Sequence, residues 1–146
     1  MVDKYEEIFD RYKKFIKENS HFEPNVVKYN TNTSPYFPLV VLTLSNNVDT
    51  NYCTNDKIEY YEEFYLTVNF YAKNKKDENN NLIASQIIIN ELVKLTNQFF
   101  KELNMKKTLS RPTMNFDKEV LRHTCQYQCL IGNVRGNIIR RWIYEL

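Results

Sequence analysis

The sequence predicts an α+β fold, an antiparallel or mixed sheet with two packed helices in the order α-β-β-β-α-β-β and a C-terminal tail after it. Two strictly alternating segments bracketing one amphipathic helix carry that expectation. In Tyr60–Lys73, Phe64, Leu66, Val68, Phe70 and Ala72 alternate with Glu63, Thr67, Asn69 and Lys73. In Val120–Ile131, Leu121, Cys125, Tyr127, Cys129 and Ile131 alternate with Arg122, Thr124, Gln126 and Gln128. A period of two over such lengths marks half-buried antiparallel strands. Both segments are about twice the usual strand length of roughly 5–6 residues.

The first helix is expected from Asp3 to about Glu18. Tyr5, Ile8, Phe9, Tyr12, Phe15 and Ile16 form one apolar stripe at helical spacing. Asp3 with Glu6 three residues on reads as a capping box. A short strand follows at Asn25–Tyr29. Residues 30–38 read as a loop punctuated by Pro35 and Pro38. Leu39–Leu44 is apolar enough for a central strand. Asn46–Lys57 is polar and reads as a long loop, well beyond the usual 2–5 residues or so of a hairpin connection. After the Tyr60–Lys73 strand, residues 74–81 form a charged, Asn-rich turn.

The second helix is expected over about Leu82–Leu103, with a stripe of Ile88, Leu92, Leu95, Phe99 and Leu103. Thr108–Phe116 and Glu119–Ile131 then form a hairpin. Arg111-Pro112 belongs at an edge or a bulge, because proline has no N–H to give to a ladder. Residues 1–133 read as one domain and 134–146 as a basic, aromatic extension.

At 146 residues the chain suits one domain with its own core. A formal net charge of +2, with both signs interspersed, gives no field that argues for nucleic acid. Eleven tyrosines and nine phenylalanines against two glycines suit pleated surfaces and leave no room for a phosphate-cradling loop. Cys125 and Cys129, on one strand face, are about 13 Å apart at roughly 3.3 Å per residue, too far for a disulfide. They read as small core hydrophobes. Three cysteines and no apolar leader suggest a reducing compartment, and no run is long enough to span a bilayer.

The search for chemistry returns little. His123, Cys125 and Cys129 share a face, but spread along a strand they do not converge on one ion. His123 reads as a polar break near the strand start. A base–nucleophile pair has only His21 and His123 to draw on, with Cys53 as the one remaining thiol, and His21 reads as an exposed loop residue. Glu6-Glu7, Glu62-Glu63 and Asp77-Glu78 read as solvated surface. No catalytic, cofactor or metal residue is expected, and no enzyme. The tail mixes Arg135, Arg140 and Arg141 with Trp142 and Tyr144, a composition that suits a protein interface more than base stacking at this net charge. Packing of Ile138, Ile139, Trp142 and Ile143 onto the domain is a third reading of the same stretch.

The order of elements resembles the tail terminator family of long-tailed bacteriophages and phage-tail-like particles, also termed tail completion or head–tail joining proteins. The resemblance is carried by the N-terminal amphipathic helix, by Tyr36-Phe37-Pro38-Leu39-Val40-Val41-Leu42, by the Glu63–Tyr71 strand, by the helix opening Leu82-Ile83-Ala84, and by the closing hairpin of Leu103–Phe116 and Val120–Leu130. It covers about residues 3–131 and contains no catalytic signature; the Trp-containing tail does not map onto it. It implies a structural subunit of a homohexameric ring that caps the tail-tube protein and offers a surface to the head–tail connector or collar. DNA would pass through the lumen unread, and the protein would reside in the virion tail, and in the host cytoplasm during assembly. A ring with heterologous contacts needs two different adhesive patches. One is expected in the polar stretch with Asp49, Tyr52 and Asp56, the other near Arg111 and the tail residues Arg135, Arg140, Arg141, Trp142 and Tyr144. The alternatives are another adaptor, tube or accessory subunit of the same particle and, behind it, a nucleic-acid-binding module.

Overall fold

The structure, a computed structural model, describes residues 2–28, 36–54, 57–114, 117–132 and 138–139, with the backbone alone described for 2–4, 46–54, 57–62, 130–132 and 138–139. It is an α+β fold. The elements are α1 (Val2–Asn19), β1 (Asn25–Val27), β2 (Leu39–Thr54), β3 (Lys57–Ala72), β4 (Lys75–Lys76), β5 (Leu82–Ile83), α2 (Ser85–Glu102), β6 (Lys106–Thr113), β7 (Leu121–Gly132) and β8 (Ile138–Ile139).

The main sheet runs β1-β2-β3-β7-β6, with β8 also on β7; β4 and β5 make a separate two-stranded ribbon. β1 is parallel to β2, and the other pairs are antiparallel. The sheet is therefore mixed.

Alternation sorts side chains to the two faces as the sequence implies. Phe64, Leu66, Val68, Phe70 and Ala72 on β3, and Cys125, Tyr127 and Cys129 on β7, are buried in one cluster with both helices. α1 adds Tyr5, Ile8, Phe9, Tyr12 and Ile16, all buried. α2 adds Ile88, Ile89, Leu92, Thr96, Phe99 and Phe100, a stripe repeating every three to four residues. The Tyr5 hydroxyl donates to Leu42 O at 2.7 Å, tying α1 to β2. The Phe100 ring stacks on Tyr127 with centroids 4.3 Å apart, seating α2 on β7.

α2 ends in a Schellman turn. Asn104 takes a positive φ of 61°, its N–H reaches Lys101 O, and Met105 N–H reaches Phe100 O. Met105 is buried behind that turn, which aims the chain back into β6.

The main boundary differences from the sequence expectation are these. Asn46–Lys57 is not a loop: β2 continues to Thr54, β3 starts at Lys57, and register runs unbroken from Asn46↔Tyr65 to Thr54↔Lys57. No glycine or proline interrupts this stretch, and beyond a register shift between Leu44 and Asn46 the two strands extend a ladder already begun in the core. α2 begins at Ser85, because Leu82–Ile83 pairs with Lys75–Lys76. α1 begins at Val2, so Asp3 lies inside it and is not its cap. β6 spans Lys106–Thr113, starting and ending earlier than expected.

Candidate interaction surfaces

The largest structural surprise is the length of the β2–β3 hairpin. β3 finds a partner in β7 only from Tyr61 onward, at Gly132. Among the described residues, the pairs Asn51↔Tyr60, Tyr52↔Glu59, Cys53↔Ile58 and Thr54↔Lys57 therefore form a two-stranded arm beyond the rest of the sheet. Four pairs at about 3.4 Å per residue carry it roughly 14 Å past the last β7 partner. β1 covers the outer edge of β2 only at Leu39–Val41. From Leu42 to Thr54 that edge has no paired strand among the described residues. Asp49 and Tyr52 are on β2, opposite Glu62 and Glu59, and only their backbone is described. Asp56 lies outside the described residues.

The opposite edge is β6. It carries Lys106, Lys107 and Arg111 and no acidic residue. All three are exposed, and Lys106 and Arg111 make no ion pair among the described residues. β6 also carries two features that blunt strand pairing: a register break between Lys107 and Leu109, and Pro112. The expected edge or bulge position of Arg111-Pro112 is what the sheet shows. Met114, just past β6, is 91% exposed. Of the tail residues expected at an interface, Arg135, Arg140, Arg141, Trp142 and Tyr144 all lie outside the described residues. Ile138–Ile139 pairs its backbone with Leu130 and Ile131 on β7.

The sheet face away from the helices is polar but not uniformly open. Leu39, Val41, Tyr71 and Val120 form a second small buried cluster there. Beside it, Asn69 Oδ1 accepts from Arg122 Nε at 3.3 Å, Arg122 Nη2 at 3.1 Å and Thr124 Oγ1 at 2.7 Å. Thr113 Oγ1 donates to Thr124 Oγ1 at 2.7 Å, and the Arg122 guanidinium lies 5.5 Å over the Tyr71 ring. Thr124 thus bonds within the sheet on both sides, and Arg122 directs two of its five N–H donors there. Sequence reasoning placed these residues on one face but had no register with which to pair them.

On the helix side, β6 and β7 bring together Ser110, His123 and Cys125. Ser110 Oγ is 2.9 Å from His123 Nε2, and the Cys125 thiol donates to Ser110 Oγ at 3.4 Å. His123 sits inside β7 rather than breaking it, 6.3 Å from the Phe70 ring. Burial lowers its pKa and raises that of Cys125. A hydroxyl–imidazole pair needs a third group to orient the ring and donors for an oxyanion. No carboxylate bonds His123 among the described residues, and Cys125 is fully buried. The contact fits cross-strand hydrogen bonding better than nucleophilic chemistry. Three open clefts lie elsewhere, the one at Lys13, Lys17 and Tyr36 measuring about 420 Å³.

Several other titratable residues make structural contacts. His21 is exposed, as expected, with its ring Nδ1 3.1 Å from Glu91 and its backbone N–H donating to the same oxygen. Glu6 pairs with Lys28. Asp77 Oδ1 accepts from the N–H groups of Asn79 and Asn81, closing the turn between β4 and β5. Among the described residues no group of three metal-ligating side chains occurs, and no helix is long and apolar enough to cross a membrane.

No protein-family model matches the chain, and a comparison with curated proteins returns no match.

Proposed function

We propose that this chain is a structural subunit of a phage or phage-like tail, acting as a tail terminator that assembles into a ring on the end of the tail tube and presents a surface to the head connector. The observation that carries this reading is the β2–β3 arm, which projects past the helix-covered core while the opposite sheet edge is basic. An isolated two-stranded ribbon is at best marginally stable in water. An arm of this kind is worth its ordering cost when a neighbour covers it. Two unlike adhesive regions on opposite sides of one subunit are what a closed heterologous ring requires. The resemblance in the order of elements supplies the tail assignment. In this reading the subunit works without a cofactor, and DNA passes through the ring lumen without sequence recognition.

The second reading is a tube or adaptor subunit of the same particle. The long hairpin favours it, because stacked rings use projecting hairpins to bridge layers. The two differ in behaviour. A tube subunit forms filaments alone, whereas a terminator forms discrete rings or stays monomeric until it meets a tube end. The experiment is negative-stain microscopy of gold-tagged protein mixed with preformed tube of the same particle. Gold on one end of each tube supports termination. Gold along the length, or filaments of the chain alone, supports the tube reading instead.

A further inference from the structure

We infer that residues 140–146 of one copy add as a strand to the β2 edge of a second copy. This rests on the ring reading, for which it names the contact between neighbours. β3 pairs with one side of β7 from Leu121 to Gly132, so β6 and β8 share the other side. β6 begins there at Lys106↔Gln128, and β8 fills the same lane at Leu130↔Ile139 and Ile131↔Ile138. Only Cys129 separates the two. Continued in the same register, Arg141 would fall opposite Gln128, where Lys106 is already paired. The chain after β8 therefore has no room to extend along its own β7. Yet Trp142, Ile143 and Tyr144 are residue types that favour strands.

The β2 edge is a lane that can receive a strand. β1 covers it at Leu39–Val41, and the Tyr5 hydroxyl takes Leu42 O. From Thr43 to Thr54 no strand pairs there among the described residues. β6 is guarded against strand addition by Pro112, a register break and basic residues. β2 has no proline, lysine or arginine, and its one irregularity is the register shift between Leu44 and Asn46. An edge left unguarded over this length is a template for another strand, held by main-chain hydrogen bonds.

Reach sends the segment to another copy. The outer side of the same chain's β2 lies four strand spacings from β8, roughly 19 Å at about 4.8 Å each, and the path must also clear the side chains of the sheet. Residues 140–146 span about 24 Å at roughly 3.4 Å per residue, which leaves too little to pair after the crossing. Direction agrees as well. β2 and β7 both run antiparallel to β3, and β8 runs antiparallel to β7. A neighbour placed by rotation with its strands in the same sense receives the segment antiparallel to its β2, as a straight continuation of β8. Donor segment and acceptor edge are unlike surfaces on one subunit, so repeating the contact can close a ring.

The test follows amide hydrogen exchange of the full chain at low and high protein concentration. In the wild type, exchange across residues 43–54 should slow at least tenfold on concentration. A variant carrying W142P and Y144P loses two N–H donors from the segment and should lose that protection, with melting curves to establish that it is folded. An independent readout uses a photo-crosslinking residue in place of Ile143, in a mixture of isotope-labelled and unlabelled copies. It should link to residues 43–54 of the other copy. The wild-type and crosslinking results decide the matter even if the proline variant melts early. Exchange across β2 that does not change with concentration, a folded proline variant protected like the wild type, or links confined within one copy would overturn the inference. Strand addition with uncapped tube ends would keep it while removing the terminator role. Capped tubes with a β2 edge that stays unprotected would remove it while keeping that role.

Discussion

The Tyr12 hydroxyl lies 2.7 Å from Thr96 Oγ1, joining α1 to α2 in a fully buried contact. Thr96 Oγ1 also reaches back to Leu92 O at 2.7 Å, so Thr96 donates there and accepts from Tyr12. The arrangement satisfies both hydroxyls where water does not reach, and burial raises the Tyr12 pKa. Tyr12→Phe leaves Thr96 with its backbone acceptor and should cost about 1 kcal/mol. Tyr12→Ala removes a ring packed against Phe99 and Phe100 and should cost roughly 3–5 kcal/mol. Urea denaturation of the two variants measures both.

Phe100 is the hinge of the packing, touching Tyr12, Phe99 and Tyr127 with its ring. It is fully buried, and its carbonyl accepts the Met105 N–H that closes the Schellman turn. Phe100→Ala should destabilise the fold by about 3–5 kcal/mol. Phe100→Leu should cost less, about 1–2 kcal/mol, since most of the volume is kept. Thermal melts of the pair separate loss of volume from loss of ring stacking.

His123 sets a small pH dependence. Burial lowers its folded pKa below the ordinary 6.5, so the unfolded chain binds the proton first as pH falls. Its contribution is full above about pH 6.5 and is lost as pH drops through the folded value. Because much of the ring is solvated, the decline should be shallow. His123→Gln should flatten the difference in melting temperature between pH 7.5 and 5.5, and an unchanged difference would assign the slope to carboxylates instead.

The arm should be dispensable for folding and necessary for assembly. Replacing residues 51–60 by Asn-Gly joins the paired residues Thr50 and Tyr61 through a type I′ turn. No described core side chain belongs to the deleted stretch. The melting temperature should stay within about 4 °C, equivalent to roughly 1 kcal/mol. Tube capping should be lost. A shortened arm that still caps would move the assembly surface elsewhere.

The sequence was most legible where burial is one-sided. Phe64 through Ala72 alternates because one face meets the helices, and that pattern also placed Cys125 and Cys129 in the core. It was least legible where backbone pairing, not side-chain hydrophobicity, sets the structure. Asn46–Thr54 has turn-like composition, yet after a register shift at Ser45 it extends the pairing of Leu39–Leu44 against Leu66–Tyr71. Leu82 and Ile83 have the look of a first helical turn and instead pair with Lys75 and Lys76. The face network of Asn69, Arg122 and Thr124, and the Ser110–His123 contact, depend on cross-strand register, which single-strand periodicity does not contain. The candidate site was legible only in part: Arg111 is at an exposed edge as expected, while the polar stretch with Asp49 and Tyr52 is an extended arm rather than a loop.

The measurement that bears most directly on the terminator role is tube elongation followed by light scattering at rising substoichiometric amounts of this protein. The account predicts that growth stops, that mean tube length falls as the ratio of this chain to tube protein rises, and that the chain itself stays at tube ends. Elongation that continues at the control rate, or tubes that incorporate the chain along their length, would contradict it.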